Sequence, residues 1–429
     1  MKRLSSSFSH FLFLIFFSIL FSSPTQAKRI LSLKDAVTLA ISQNPEISAA
    51  LKEKEALTFK KNIVRAEFFP KVYLNYNFQR QDSGKNLPTV DVHQFGPTLM
   101  WNLFSGFSIW YSYKEMFDLI ETSDALVRAK IQEIALKVVS AFLEYLRIKS
   151  LYEASLNDIE DAKATLKLAQ KRYEVGLSAY ADVLDAEAKL KEAEARSINY
   201  KYTSEIAKAN LLALLNLSLS EAKEAELLEL EEERMVDPDL ESLLTLAKKK
   251  RPELLAKEKE ISAQENRIRS VRGEYFPSVD LFTSYYRIDN LFFPDRDSVF
   301  IFGVKISVPL FTGFSTPAKI SAEKATLEKK KFEKRSLELS IEQDVFSAFQ
   351  NYLTKKEYYT ASLAYLKKME EDYRIIKKRY ENGLASIVDL TTVLARLSQA
   401  RSQVATSRYD WFKSYYVLKK SAGFIPVVE

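Results

Sequence analysis

The chain has 429 residues, 47% hydrophobic and 28% charged, a balance that excludes a disordered chain. It carries no cysteine, two histidines and nine glycines, which excludes disulfides, thiol catalysis, thiolate metal sites and lipidation at an N-terminal cysteine, and neither common phosphate-loop motif occurs. Sixty-three basic against 57 acidic residues give a net charge of +6, spread along the chain in clusters such as Lys248 to Arg251 that read as solvated helix faces and not as a nucleic-acid site.

The first predicted element is an export signal. Lys2 and Arg3 precede an apolar run from Phe11 to Phe21, a break at Ser22-Ser23-Pro24, and small residues at Thr25 and Ala27. Residues 1–27 are expected to be removed. The run is shorter than the roughly 20 residues that a spanning helix needs, and no later segment reaches that length, so any membrane span must be built from strands.

The rest is one unit written twice. Glu67-Phe68-Phe69-Pro70 recurs as Glu274-Tyr275-Phe276-Pro277, Leu103-Phe104-Ser105-Gly106-Phe107 as Leu310-Phe311-Thr312-Gly313-Phe314, and Arg172-Tyr173-Glu174-Val175-Gly176-Leu177 as Arg379-Tyr380-Glu381-Asn382-Gly383-Leu384. Asn44-Pro45-Glu46 is answered by Arg251-Pro252-Glu253, and every pair is separated by the same 207 residues. The first repeat is placed at 28–217 and the second at 240–424, with a tail at 425–429. The joint, 218–239, holds seven glutamates between Glu221 and Glu233 and reads as an exposed linker with room for some helix.

In each repeat a short helix ends near Pro45 or Pro252, and a second is expected to run to Phe69 or Phe276, where the following proline forbids helical geometry. Two stretches of period two follow, at about 71–81 and 94–104, and again at about 278–287 and 299–309. In the first, Val72, Leu74, Tyr76 and Phe78 oppose Tyr73, Asn75, Asn77 and Gln79. Such alternation fits a membrane strand and fits a half-buried hairpin on a soluble core equally well. If the strands span, four cannot close a barrel, and two open edges in lipid would leave unpaired backbone groups, so several chains must pool them. The segments 82–89 and 289–297 would be the outer tips.

Very long helices come next. Neither Ile109 to Glu174 nor Ala318 to Asn382 contains proline or glycine, and about 65 residues make roughly 100 Å of helix. Apolar residues step by three and four through Ile131, Ile134, Val138, Phe142, Tyr145, Ile148 and Tyr152, a packed seam. Gly176 and Gly383 stop these helices, and arms return from Asp182 to Asn216 and from Asp389 to Lys420. The predicted fold is mainly α, with duplicated helical hairpins and a four-stranded β portion.

The order and duplication of these motifs resemble the TolC family of outer-membrane efflux and secretion channels. The resemblance covers the whole chain after residue 27. It implies a homotrimer whose chains share a 12-stranded transmembrane β-barrel in outer-membrane lipid and whose helices form a periplasmic α-barrel. It also implies a periplasmic adaptor and an inner-membrane transporter as partners, no cofactor, and passive conduction gated at the hairpin tips. Asp182, Asp185, Tyr380 and Asp389 match or neighbour the family's gate positions. The second acidic position of the returning arm falls on Thr392, and a basic partner found in some members falls on Ala385, so that ionic latch is missing. Gly176, Leu177, Gly383 and Leu384 would dock the adaptor. The plainer alternatives are helix N-capping for Asp182 and Asp389, and helix-ending glycines with packed leucines at the tips.

Two other classes fit less of the sequence. An enzyme would need a nucleophile, base or metal cluster, and the exported chain keeps only His93. A periplasmic coiled-coil adaptor or structural filament explains the helices and the export, but not two matched strand pairs.

Overall fold

In a computed structural model, the described residues are 29–82, 90–218, 225–229 and 239–427. The expected export signal, most of the first outer tip and most of the acidic joint lie outside them. The first repeat contains β1 (Arg29–Leu31), α1 (Leu33–Gln43), α2 (Pro45–Ala66), β2 (Lys71–Gln81), β3 (Val90–Ser105), α3 (Ser108–Glu174) and α4 (Tyr180–Leu214). After β4 (Ala225–Leu227), the second repeat gives α5 (Leu240–Lys250), α6 (Pro252–Arg272), β5 (Ser278–Asp289), β6 (Asp297–Ser307), α7 (Ser315–Glu381) and α8 (Ile387–Ser421). The offset of 207 holds at the start of every repeated helix, and α3 and α7 are both 67 residues long.

The positive-φ residues keep the same spacing. Gly106 and Phe107 (φ 62° each) answer Gly313 and Phe314 (φ 61° and 63°). A left-handed phenylalanine is costly, and its presence twice marks where the chain swings from a strand into a long helix. Gly106 is also held by space, because a Cβ there would lie 2.2 Å from the Gly273 carbonyl oxygen.

The helices α2 and α6 stop earlier than the prolines required. α2 ends at Ala66, and α6 tightens into a 3-10 turn over Gly273–Tyr275 before Phe276 becomes extended. The proline constrains only the residue before it, and the preceding turn relaxes separately.

The strands form one antiparallel sheet in the order β2-β3-β5-β6. The two repeats therefore join through β3 and β5, with Thr98 opposite Ser284 and Trp101 opposite Leu281. Gly303 pairs with Phe282, whose ring fills the space a side chain at Gly303 would take. One face carries polar pairs, with Asn102 Nδ2 donating to Asp280 Oδ1 at 2.7 Å and Ser284 Oγ donating to Thr98 Oγ1 at 3.2 Å. The other leaves Val72, Leu74, Phe78, Phe300, Phe302 and Ile306 exposed. β2 and β6 are free edges. Among the described residues, no helix is long and apolar enough to cross a membrane.

Since α4 has 35 residues, it covers only the far half of α3. The near half of α3 packs against α2 and α6 instead. One core gathers Ala36 and Val37 of α1, Ile134, Val138 and Phe142 of α3, Leu211 and Leu212 of α4, and Tyr409 and Phe412 of α8. A second core lies along the four hairpin arms, through Ala169, Ala186, Leu190, Tyr373, Tyr380 and Leu390. The acidic joint is not wholly an exposed linker. Its residues Ala225–Leu227 pair in parallel with Arg29–Leu31, and Leu227 is buried in the first core. Leucines among the glutamates supply that apolar anchor.

Candidate functional site at the hairpin tips

Both hairpins turn by the same device. Leu177 N–H donates to Arg172 O (2.8 Å) and Gly176 N–H to Tyr173 O (2.9 Å); Leu384 and Gly383 repeat the pattern on Arg379 and Tyr380 (2.7 and 3.0 Å). This is the glycine-ended helix stop, and φ values of +74° and +76° are why glycine stands there. The leucines that follow are not packed. Leu177 and Leu384 are 65% and 67% exposed, so each tip projects an apolar side chain.

The aspartates differ between the tips. Asp389 is the third residue of α8 and closes a capping box with Ser386: its Oδ2 accepts from Ser386 N–H (2.9 Å) and Oγ–H (2.8 Å), while Asp389 N–H donates to Ser386 Oγ (3.1 Å). Those backbone and side-chain hydrogen bonds, helped by the charge of Arg379, hold its carboxyl below the usual range. The N-cap is Ser386, so the capping expectation for Asp389 is corrected from the cap itself to the third position. Asp182 occupies the same place on α4, but its N-cap is Ala179, whose methyl group cannot hydrogen-bond in return. Asp182 is half-buried and Asp185, one turn on, is exposed.

Tyr380 is 2% exposed and lies between the hairpins. Arg172 reaches across from α3, donating from Nη1 to Tyr380 O (2.7 Å) and Glu381 O (3.4 Å) and from Nη2 to Leu177 O (3.3 Å). Its guanidinium also sits 4.9 Å from the Tyr380 ring centre. Burial, and then the Asp182 charge, push the Tyr380 phenol upward, with Arg172 opposing. The structure thus brings Tyr380 and Asp182 together and keeps Asp389 tied to its own helix start. The position expected to carry a basic partner, on the same hairpin, is Ala385 and supplies none. The cation comes from the other hairpin, and the clue was an arginine at the same place in both tip motifs.

Further along the shaft, Arg401 Nη1 donates to Asp158 Oδ1 and Asp161 Oδ2, each at 2.9 Å, and Ser398 donates to the buried Asp158. This cluster joins α3 to α8. Among the described residues, no group of three or more acidic or histidine side chains could hold a metal ion.

A family model described as outer membrane efflux protein matches residues 36–217 and 243–423. Protein CyaE of Bordetella pertussis is 23% identical over 388 residues, covering 89% of this chain and 82% of its own. The alkaline protease secretion protein AprF of Pseudomonas aeruginosa is 22% identical over 415 residues, covering 92% and 85%. The crystal structure of the Campylobacter jejuni CmeC outer membrane channel shares the fold, with a TM-score of 0.80 at 15% identity, covering 92% of this chain and 87% of that one.

Proposed function

This chain belongs to the outer membrane efflux protein family and is an outer-membrane efflux or secretion channel with its helical part in the periplasm, and we propose that it works as a homotrimer fed by an inner-membrane transporter through a periplasmic adaptor. It conducts passively and catalyses nothing. Selection of cargo then falls to the transporter.

The observation that carries the assembly is the seam between the repeats. Within one chain β3 pairs with β5; advanced by 207 residues, the same pairing sets β6 on β2 of the next copy. Thr98 opposite Ser284 becomes Lys305 opposite Asn77. The ion pair of Glu121 with Lys259 (2.5 Å) becomes Glu328 with Lys52 of a neighbouring copy, and the charges remain complementary. Three chains then close twelve strands, and both free edges disappear. The exposed apolar face of Val72, Leu74, Phe300, Phe302 and Ile306 meets lipid.

The native chain has no cysteine, so paired cysteines report without background. Oxidation of N77C/K305C is expected to give a covalent ladder that stops at three chains. A ladder that stops at two or runs past three overturns the trimer.

At the mouth we assign the gate to Asp182, Asp185, Tyr380 and Asp389, repeated around the axis, where like charges favour cations. Asp389→Ala in planar bilayers is expected to change conductance or cation selectivity; no change in either removes Asp389 from the gate. Gly176, Leu177, Gly383 and Leu384 are assigned to adaptor docking, supported by the exposure of both leucines. A cross-linker at Leu384 that captures no adaptor in cells would count against it.

A further inference from the structure

The 207-residue offset also applies to the tips, and there it leaves one partner unmatched. Arg172 has a counterpart in Arg379, and what Arg172 touches has counterparts too: Tyr380 answers Tyr173, Glu381 answers Glu174, and Gly383 answers Gly176. The two arginines start alike. Arg379 Nη2 lies 3.4 Å from the carbonyl oxygen of its own Leu384, as Arg172 Nη2 lies 3.3 Å from that of Leu177. Only Arg172 goes further, to the Tyr380 ring and two carbonyls of the other hairpin.

The receiving surfaces differ in the matching way. A Cβ built on Gly383 would lie 3.6 Å from the Arg172 guanidinium, whereas one built on Gly176 would have nothing within 4 Å. Tyr380 is 2% exposed under Arg172, whereas Tyr173 is 47% exposed. Arg379 is itself exposed, and its Nη1 has no acceptor among the described residues. Tyr180 packs against one side of the Tyr173 ring at 5.4 Å between ring centres, and the exposed remainder of that ring, two helix-end carbonyls and an open glycine form on the first tip a surface like the one the second tip offers to Arg172. Among the described residues of one chain, no arginine of the other hairpin reaches it.

We propose that Arg379 is the between-copy equivalent of Arg172: in the assembled channel its guanidinium covers the Tyr173 ring of the neighbouring copy and donates to that copy's Tyr173 and Glu174 carbonyls, beside its Gly176. This rests on the trimeric reading above. Six arginine ties then ring the tunnel mouth, alternating within and between chains. The three Arg172 ties hold the hairpins of one chain together. The three Arg379 ties alone restrain one chain's tips against the next, which makes Arg379 a positioning residue for the width of the mouth.

The test uses the full-length trimer with two reporters. E174C/R379C, treated with a bifunctional maleimide about as long as an extended arginine, is expected to give two- and three-chain bands. N77C/K305C reports the barrel seam in parallel. A ladder from the barrel pair with none from the tip pair overturns the Arg379 tie while the trimer stands; no ladder from either removes the trimer first and the tie with it. R379A in the cysteine-free chain is expected to raise single-channel conductance while the heat stability of the trimer stays unchanged. Unaltered conductance in R379A, even with tip cross-linking, would show proximity without restraint and overturn the positioning role.

Discussion

Tyr380→Phe and Arg172→Ala separate two ways in which the tip pair could work. The ring of Tyr380 is buried, yet its hydroxyl has no hydrogen-bond partner among the described residues. Arg172 engages the ring face and the backbone oxygen, neither of which needs the hydroxyl. A buried unpaired hydroxyl costs about 1–3 kcal/mol, so Tyr380→Phe should leave the tip as stable as before or up to about 1 kcal/mol more so. Arg172→Ala removes a charged hydrogen bond of about 1.5 kcal/mol, at the low end because the arginine is half-exposed, and a cation–π contact of about 0.5–1 kcal/mol. The loss of about 2 kcal/mol predicts a roughly thirtyfold rise in local opening. Amide hydrogen exchange at Gly176, Leu177, Gly383 and Leu384 reads it directly. If Tyr380→Phe accelerates exchange as much as Arg172→Ala does, the hydroxyl, and not the ring face and backbone oxygen, carries the contact.

Other outcomes follow from features elsewhere in the chain. Gly106→Ala should cost about 3 kcal/mol, from left-handed strain plus the collision with Gly273, whereas Gly313→Ala pays only the strain of about 1–2 kcal/mol; denaturation of the unassembled chains compares them. Arg401→Ala leaves Asp158 buried without its cation and should destabilise by about 3–5 kcal/mol, with much of the loss recovered by adding Asp158→Asn, as read by denaturant midpoints. Burial pushes the Tyr409 phenol to about 12, so between pH 10 and 12 the unfolded chain releases a proton that the folded chain keeps. Stability should fall across that window, and Tyr409→Phe should flatten the fall by about 2–3 kcal/mol.

The duplication, the long helices and the turn glycines were all legible in the sequence, because each depends on local chemistry: proline, glycine and apolar spacing act over a few residues. What escaped depends on partners far along the chain. The pairing of Ala225–Leu227 with Arg29–Leu31 could not be read from a run of glutamates, since the anchoring leucine finds its core nearly 200 residues away. Asp389 was visible as a helix-start residue, but its exact position turned on Ser386. Arg172 sits in a repeated tip motif whose local pattern marks only the end of a helix. Its reach to Tyr380 crosses between hairpins, and no periodicity within either hairpin encodes that.

The β3–β5 seam has a kinetic side as well. Inside one chain the two strands are tethered, so they meet at an effective concentration set by the connecting chain. In the proposed trimer the equivalent β6–β2 seam has no tether and waits for an encounter between chains. In that trimer the equivalent strand pairings form in a fixed order, first within a chain and then between chains. A substitution that weakens the shared pattern by a small amount would be tolerated in the tethered seam and felt in the untethered one, so assembly, more than folding, sets how far these strand sequences can drift.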